Sequence, residues 1–343
     1  MPEVVFYRKY RPQEFEECLG QEHIVSALQG SFKQGNVSHA YLFSGSRGTG
    51  KTSFARILAK TLGTTANDLY EIDAASNRGI DDVRALREAV YTLPLESKYK
   101  IYIVDEAHMM TKEAFNALLK TLEEPPPHVI FVLATTEIDR LPETIISRCE
   151  VHTFKKPSVK TLRDLVLNVA KKEGKDMEKS AAELVALLGD GSFRDTHGIL
   201  QKIVSSFSGK VITEENVRIV SGVPKKEVVN DLLSAVSEKD VEKGLQAVAC
   251  ATEENIDMKT YVKLILHKMR LILLLRFAKD LEKTIKEEVS EEDFEFLKGL
   301  AMTSGSNVTS SSLLAFLESA DLVGKTAIPQ LPIELAVIKS CGV

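Results

Sequence analysis

Between residues 39 and 155 the chain alternates two kinds of hydrophobic pattern. Short, nearly continuous apolar runs occur at AYLFS (40–44), LYEI (69–72), KIYIV (100–104), VIFVLAT (129–135) and EVHTF (150–154). They are rich in β-branched and aromatic residues, which is how strands of a parallel sheet read when both faces are covered. Between them the period lengthens. KTSFARILAKTL sets Phe54, Ile57, Leu58 and Leu62 on one helical face, and TKEAFNALLKTLEE does the same with Phe115, Leu118, Leu119 and Leu122 before prolines 125–127 stop it. Repeated β–α alternation predicts a doubly wound α/β domain over residues 1–155.

After Phe154 the strand signals fade. Residues 158–174, 179–190 and 192–207 read as three short helices, which predicts a small helical domain over 156–222. SGVPKKE (221–227), with Gly222 and Pro224, reads as a boundary. From 223 to 343 the pattern is helical again, with a long amphipathic stretch around 256–282.

Composition narrows the class without naming a chemistry. With 44% hydrophobic and 27% charged residues, the 343-residue chain reads as an ordinary globular protein of two or three domains. No apolar run approaches the roughly 20 residues needed to span a bilayer; LILLL (271–275) is flanked by Arg270 and Arg276. The N-terminus lacks a signal-peptide pattern, so the expectation is a cytoplasmic protein with no membrane partner. Cys18, Cys149, Cys250 and Cys341 are far apart and show no metal-ligand spacing. A net charge of −5 argues against a generally basic nucleic-acid coat, although a local basic stripe is compatible with it.

The candidate chemistry lies in GSRGTGKT (45–52), which fits G-x-x-x-x-G-K-[ST] between a predicted strand and a predicted helix. Gly45, Gly48 and Gly50 let the backbone turn its N–H groups toward phosphates, with Ser46, Arg47, Thr49 and Ser53 completing the segment. Lys51 offers a positive charge to the β- and γ-phosphates, Thr52 a hydroxyl to Mg²⁺, and the following helix its dipole. The strand KIYIV then ends in Asp105-Glu106, placing Asp105 to hold Mg²⁺ and Glu106 to polarise an attacking water. ATP and Mg²⁺ are the expected ligands.

Asp105-Glu106-Ala107-His108 also spells the signature of a helicase class. A helicase of that kind needs two tandem α/β motor domains, and only one is predicted. Longer stretches carry a different resemblance: YRKYRPQEFEECLGQEHI (7–24), HAYLFSGSRGTGKTS (39–53), EIDAASNRGIDDVR (71–84), VDEAHMMTKEAFNALLKTLEEPP (104–126) and FVLATTEIDRLPETIISRC (131–149). On these the chain resembles the AAA+ clamp loaders, specifically the gamma/tau family of bacterial DNA polymerase III. The match covers the first two predicted domains closely. Residues 223–343 match only in helical character and length.

The resemblance implies an AAA+ ATPase domain, a helical lid and an all-α collar that serves oligomerisation. It implies a motor that uses ATP to open a sliding clamp and load it onto primed DNA. The partners would be the delta and delta-prime subunits, further copies of the same chain, the clamp and primed DNA. Residue by residue, Thr136 falls at sensor 1, Arg148 at the arginine finger that acts in trans on a neighbour's ATP, and Arg194 at sensor 2. Tyr7, Arg8, Tyr10, Arg11 and Pro12 match the segment that packs beside the nucleotide. Ser76, Asn77, Arg78 and Arg84 fall on the segment that lines the path of DNA. Residues 1–155 hold 18 Lys and Arg against 21 Asp and Glu, so any DNA site must be a local stripe completed by several subunits.

Two stretches depart from the family pattern. AKTLGTTANDLYEI (59–72) contains no cysteine where most gamma/tau chains carry a four-cysteine zinc module, so no zinc is expected. RDTHGIL (194–200) lacks the more usual alanine- and leucine-rich continuation. A binding-only scaffold such as delta-prime would carry a degraded phosphate loop, and this one is intact. A Holliday-junction branch-migration ATPase would lack the SRC and LLKTLEEPP stretches.

Overall fold

A computed structural model describes residues 4–76, 86 and 88–342, and the chain divides into two compact units. The first comprises Met1–Leu162 with Gly189–Gly198, and the second Arg163–Leu188 with Ile199–Val343. The helices Val159–Lys172 and Phe193–Ser206 therefore contribute residues to both.

In the first unit five strands form one sheet: β1 (Ala40–Ser44), β2 (Leu69–Asp73), β3 (Lys100–Asp105), β4 (Val129–Thr135) and β5 (Glu150–Thr153). Their order is β2-β3-β4-β1-β5, and every pairing is parallel. Because side chains alternate along a strand, each strand feeds two cores. Leu42, Tyr102, Val104, Phe131 and Leu133 join Phe115, Leu118 and Leu122 of the helix Lys112–Glu123 on one face. Tyr41, Phe43, Ile101, Ile103, Ile130 and Val132 join Phe54, Ile57 and Leu58 of the helix Lys51–Thr61, with Ile24 and Leu28 of Glu22–Lys33, on the other. Burial on both faces is complete along β1 and β4 and along β3 up to Asp105; the edge strands β2 and β5 are only partly covered. With β1 and β3 separated only by β4, the loops that follow β1, β3 and β4 come together at one end of the sheet.

The second unit is mainly helical. The sequence pattern missed one feature, a parallel pair between β6 (Asp176–Met177) and β7 (Val211–Ile212), each too short to show a period. Within 221–227 Gly222 closes the helix Glu214–Ser221 in the left-handed region at φ 63°, and the next helix starts at Lys226. Helices on both sides of that stop belong to the same unit. Met258–Phe277 forms the centre, with Tyr261, Ile265, Met269 and Ile272 fully or almost fully buried against Lys226–Glu238, Glu291–Met302 and Ser310–Leu322. The amphipathic stretch expected over 256–282 is interrupted at Ala278, whose φ −131° and ψ 72° end the helix. Among the described residues no helix is long and apolar enough to cross a membrane.

Candidate functional site

The loop after β1 is built around residues that other side chains could not replace. Gly45, Gly48 and Gly50 have φ of 147°, 73° and 101°, a region L-residues rarely adopt. A Cβ on Gly45 would meet the Phe154 carbonyl oxygen at 2.6 Å, and one on Gly48 would meet Ser192 Oγ at 2.0 Å. The Gly45 N–H donates to the Thr135 carbonyl (3.2 Å), tying the loop's start to the end of β4. The Phe193 N–H donates to the Gly48 carbonyl (2.9 Å), and the buried Thr49 hydroxyl donates to the Ser46 carbonyl (2.9 Å). Ser46 and Ser53 are partly exposed and Arg47 is exposed.

Lys51 opens the helix and is 6% exposed. Its ammonium donates to the Gly45 and Ser46 carbonyls at 2.7 and 2.9 Å. Burial pushes its pKa below the ordinary lysine range; Glu106 and Asp105 oppose that shift, and Arg194 adds to it. One residue on, the Thr52 hydroxyl donates to Asp105 Oδ2 at 2.7 Å. A hydroxyl and a carboxylate oxygen in contact are hard donors of the kind Mg²⁺ takes, so the residues present fit that ion. Among the described residues no group of three or more His, Cys, Asp or Glu is placed to hold a metal by itself.

Glu106 follows β3 in the left-handed region (φ 49°, ψ 45°), rare for a non-glycine residue. Its N–H donates to Asp105 Oδ1 (3.0 Å), and its Oε2 accepts from the Thr136 hydroxyl (3.2 Å). The structure thus brings together the glycine loop, Lys51, Thr52, Asp105, Glu106 and Thr136. It adds His108, which in the sequence stands out only as the last letter of the helicase-like tetrad: its side chain is 6% exposed and Nδ1 lies 3.0 Å from Thr135 Oγ1.

The other expected residues are spread out. Arg194 lies over the Tyr7 ring at 5.9 Å, and Tyr10 stacks on His197 with centroids 6.2 Å apart and 3° between planes. Arg8, Arg11 and Pro12 instead line a cavity of about 470 Å³ with Gln13, Arg56, Ile57 and Lys60, along the flank of the helix that Lys51 begins. Arg148 donates to Glu123 Oε1 (2.6 Å) and the Thr144 carbonyl (2.7 Å), neither of which belongs to the glycine loop. Ser76 is exposed and caps a turn, its hydroxyl donating to Asp73 Oδ2 at 3.1 Å. Asn77, Arg78 and Arg84 lie outside the described residues.

A parallel sheet of order 2-3-4-1-5, with a glycine loop after β1 and an acidic pair after β3, defines a P-loop nucleotide-binding fold of the AAA+ class. The fold is similar to that of the Thermotoga maritima RuvB Holliday junction branch migration motor, with a TM-score of 0.54 at 21% identity over 67% of this chain and 80% of that one. Two family profiles match: "DNA polymerase III, delta subunit" over residues 20–77 and 64–158, and "DNA polymerase III subunits gamma and tau domain III" over 212–343. DNA polymerase III subunit gamma of Buchnera aphidicola (subspecies Baizongia pistaciae) is 34% identical over 79% of this chain and 79% of its own length. DNA polymerase III subunit tau of Bacillus subtilis is 35% identical over 98% of this chain and 62% of its own length. The gamma/tau subunit of Mycobacterium tuberculosis H37Rv is 36% identical over 81% of this chain and 52% of its own. The chain belongs to the DNA polymerase III gamma/tau family. It spans little more than half the length of the Bacillus and Mycobacterium relatives.

Proposed function

We propose that this chain is an ATP-hydrolysing clamp-loader subunit of a bacterial replicative DNA polymerase. The observation that carries the reading is the contact chain from Thr52 through Asp105 and Glu106 to Thr136, closed beside a buried Lys51. Lys51 and the loop N–H groups of 45–52 bind the phosphates. Thr52 and Asp105 would hold Mg²⁺, which would supply charge neutralisation at the phosphates. Glu106 orients a water toward the γ-phosphorus and takes up its proton, and Thr136 holds Glu106 in place. Arg194 senses the nucleotide in cis. Tyr7 and Tyr10, on the same segment as Arg8, Arg11 and Pro12, pack beside the base.

In this reading residues 156–222 act as the lid and 223–343 as the collar. Arg148, partly exposed and held by Glu123, is free to exchange that carboxylate for the phosphates of a neighbouring copy's ATP, which ties hydrolysis to assembly. Delta, delta-prime, further copies of the chain, the sliding clamp and primed DNA are the partners, in the cytoplasm, with no structural zinc. DNA contact through the segment of Ser76, Asn77, Arg78 and Arg84 is salt-sensitive and confined to the ATP-bound assembly.

The test is ATP turnover with and without primed DNA and the partner subunits. Glu106→Gln should keep ATP affinity within about 3-fold and lower turnover by about 100-fold or more. Turnover at the wild-type rate would overturn the assignment. Arg148→Ala should leave the chain's own ATP binding intact and lose hydrolysis only in the assembly.

A further inference from the structure

His108 has no part in the roles above, yet its ring joins three groups at the ends of β3 and β4. Nδ1 lies 3.0 Å from Thr135 Oγ1 and 3.5 Å from Glu106 Oε2, while Nε2 lies 3.4 Å from Glu137 Oε1. Thr135 Oγ1 also accepts the Glu137 N–H (3.0 Å), and Glu137 Oε2 accepts from Arg140 Nε (2.8 Å). The ring is therefore fixed by β4 and by the segment that follows it.

What that ring does for Glu106 follows from geometry. A glutamate carries three rotatable bonds, and this one departs from a strained backbone position with its side chain 34% exposed. One contact from the Thr136 hydroxyl would leave the carboxylate free to swing. His108 approaches the same oxygen, Oε2, from its own short turn (Ala107–Met109). Both approaches fall on Oε2, which leaves Oε1 as the oxygen for water.

We propose that His108 is a positioning residue for hydrolysis: its Nδ1 edge sets the aim of the Glu106 carboxylate. This rests on the ATPase reading above.

The experiment compares His108→Ala, His108→Asn and His108→Gln with Glu106→Gln, using the full chain with its partner subunits and primed DNA. The side-chain amide of asparagine falls where Nδ1 is, and that of glutamine where Nε2 is. His108→Ala and His108→Gln should lower kcat about 10- to 100-fold, the scale of a misplaced catalytic group, while ATP affinity stays within about 3-fold. His108→Asn should recover most of kcat. An alanine variant with wild-type kcat overturns the proposal, as does loss of ATP affinity in step with kcat. Should the alanine variant not fold, the other pair decides: asparagine no better than glutamine overturns it. Full turnover by Glu106→Gln would instead remove the hydrolysis reading itself, a separate outcome.

Discussion

Among the described residues Lys51 and Lys100 are buried and Lys268 is largely covered, and the differences between their surroundings separate site from scaffold. Lys268, in the second unit, donates to Asp293 Oδ1 at 2.7 Å and Asn230 Oδ1 at 2.8 Å. Asp293 also lies 3.6 Å from Lys226, which reaches Glu214 Oε2 at 3.3 Å, and Glu214 in turn pairs with Arg218 at 2.7 Å. Each charge in that network has an opposite. Lys100, in the first unit, has no carboxylate contact among the described residues, but it donates to the Ala89 carbonyl (2.8 Å) and Thr92 Oγ1 (2.7 Å) beneath the Tyr70 ring at 5.0 Å. The Tyr70 ring face, with the Asp68 carboxylate acting from further off, does there what Asp293 does for Lys268. Among the described residues Lys51 hydrogen-bonds to two neutral carbonyls, with Glu106 and Asp105 acting on it only from beyond contact. All three are pushed below the usual lysine range, first by burial. Only Lys51 still calls for an anion.

The largest effect should come from removing that charge. Lys51→Met should weaken ATP binding by about 100-fold or more, the scale of deleting one partner of a buried charge contact. The nucleotide-free protein should melt no lower than wild type, because the ammonium is a desolvation cost until an anion arrives. Binding titration and thermal melting check both halves. A large loss of stability without nucleotide would make Lys51 a scaffold residue like Lys268. The reverse test is Asp293→Ala, which leaves Lys268 without a carboxylate and Lys226 with Glu214 alone. Removing one partner of a buried pair costs about 3 kcal/mol, near the low end of the usual range because these side chains keep some exposure. The denaturant midpoint should fall accordingly, and ATP affinity should not move.

The contrast also explains what could be read from the sequence. The core strands were legible because β1, β3 and β4 are buried on both faces and write that burial as unbroken apolar runs. The phosphate loop was legible because its glycines, lysine and threonine must be adjacent. The Lys268 network was not, since Glu214, Lys226, Lys268 and Asp293 are scattered along 80 residues with no common period. His108 was hidden for a related reason: its partners Thr135 and Glu137 come from another strand's end, and the letters around it point to a helicase. The N-terminal segment read as one unit beside the nucleotide. Its alternation of aromatic and basic residues brings Tyr7 to Arg194 and Arg8, and Tyr10 to His197, while Arg8 and Arg11 also line a basic cavity.

The smallest effect concerns a fourth buried charge, Asp68, which has no ion-pair contact among the described residues. It is fully buried at the start of β2, and its carboxylate accepts three backbone N–H groups, from Leu95 (2.6 Å), Glu96 (2.9 Å) and Ser97 (2.7 Å). Burial alone would raise its pKa, but those donors outweigh burial and lower it from 3.8 to about 2. A depressed carboxylate pKa contributes stability that is complete above the unfolded value and is lost as pH falls through the folded one. The window is therefore about 4 down to 2. Asp68→Asn keeps the size of the side chain but has one acceptor oxygen for three donors. It should melt lower than wild type at neutral pH, and the gap should close as the wild-type carboxylate takes up its proton between pH 4 and 2. A gap that stays constant across that window would mean the three N–H groups respond to the shape of the side chain rather than to its charge.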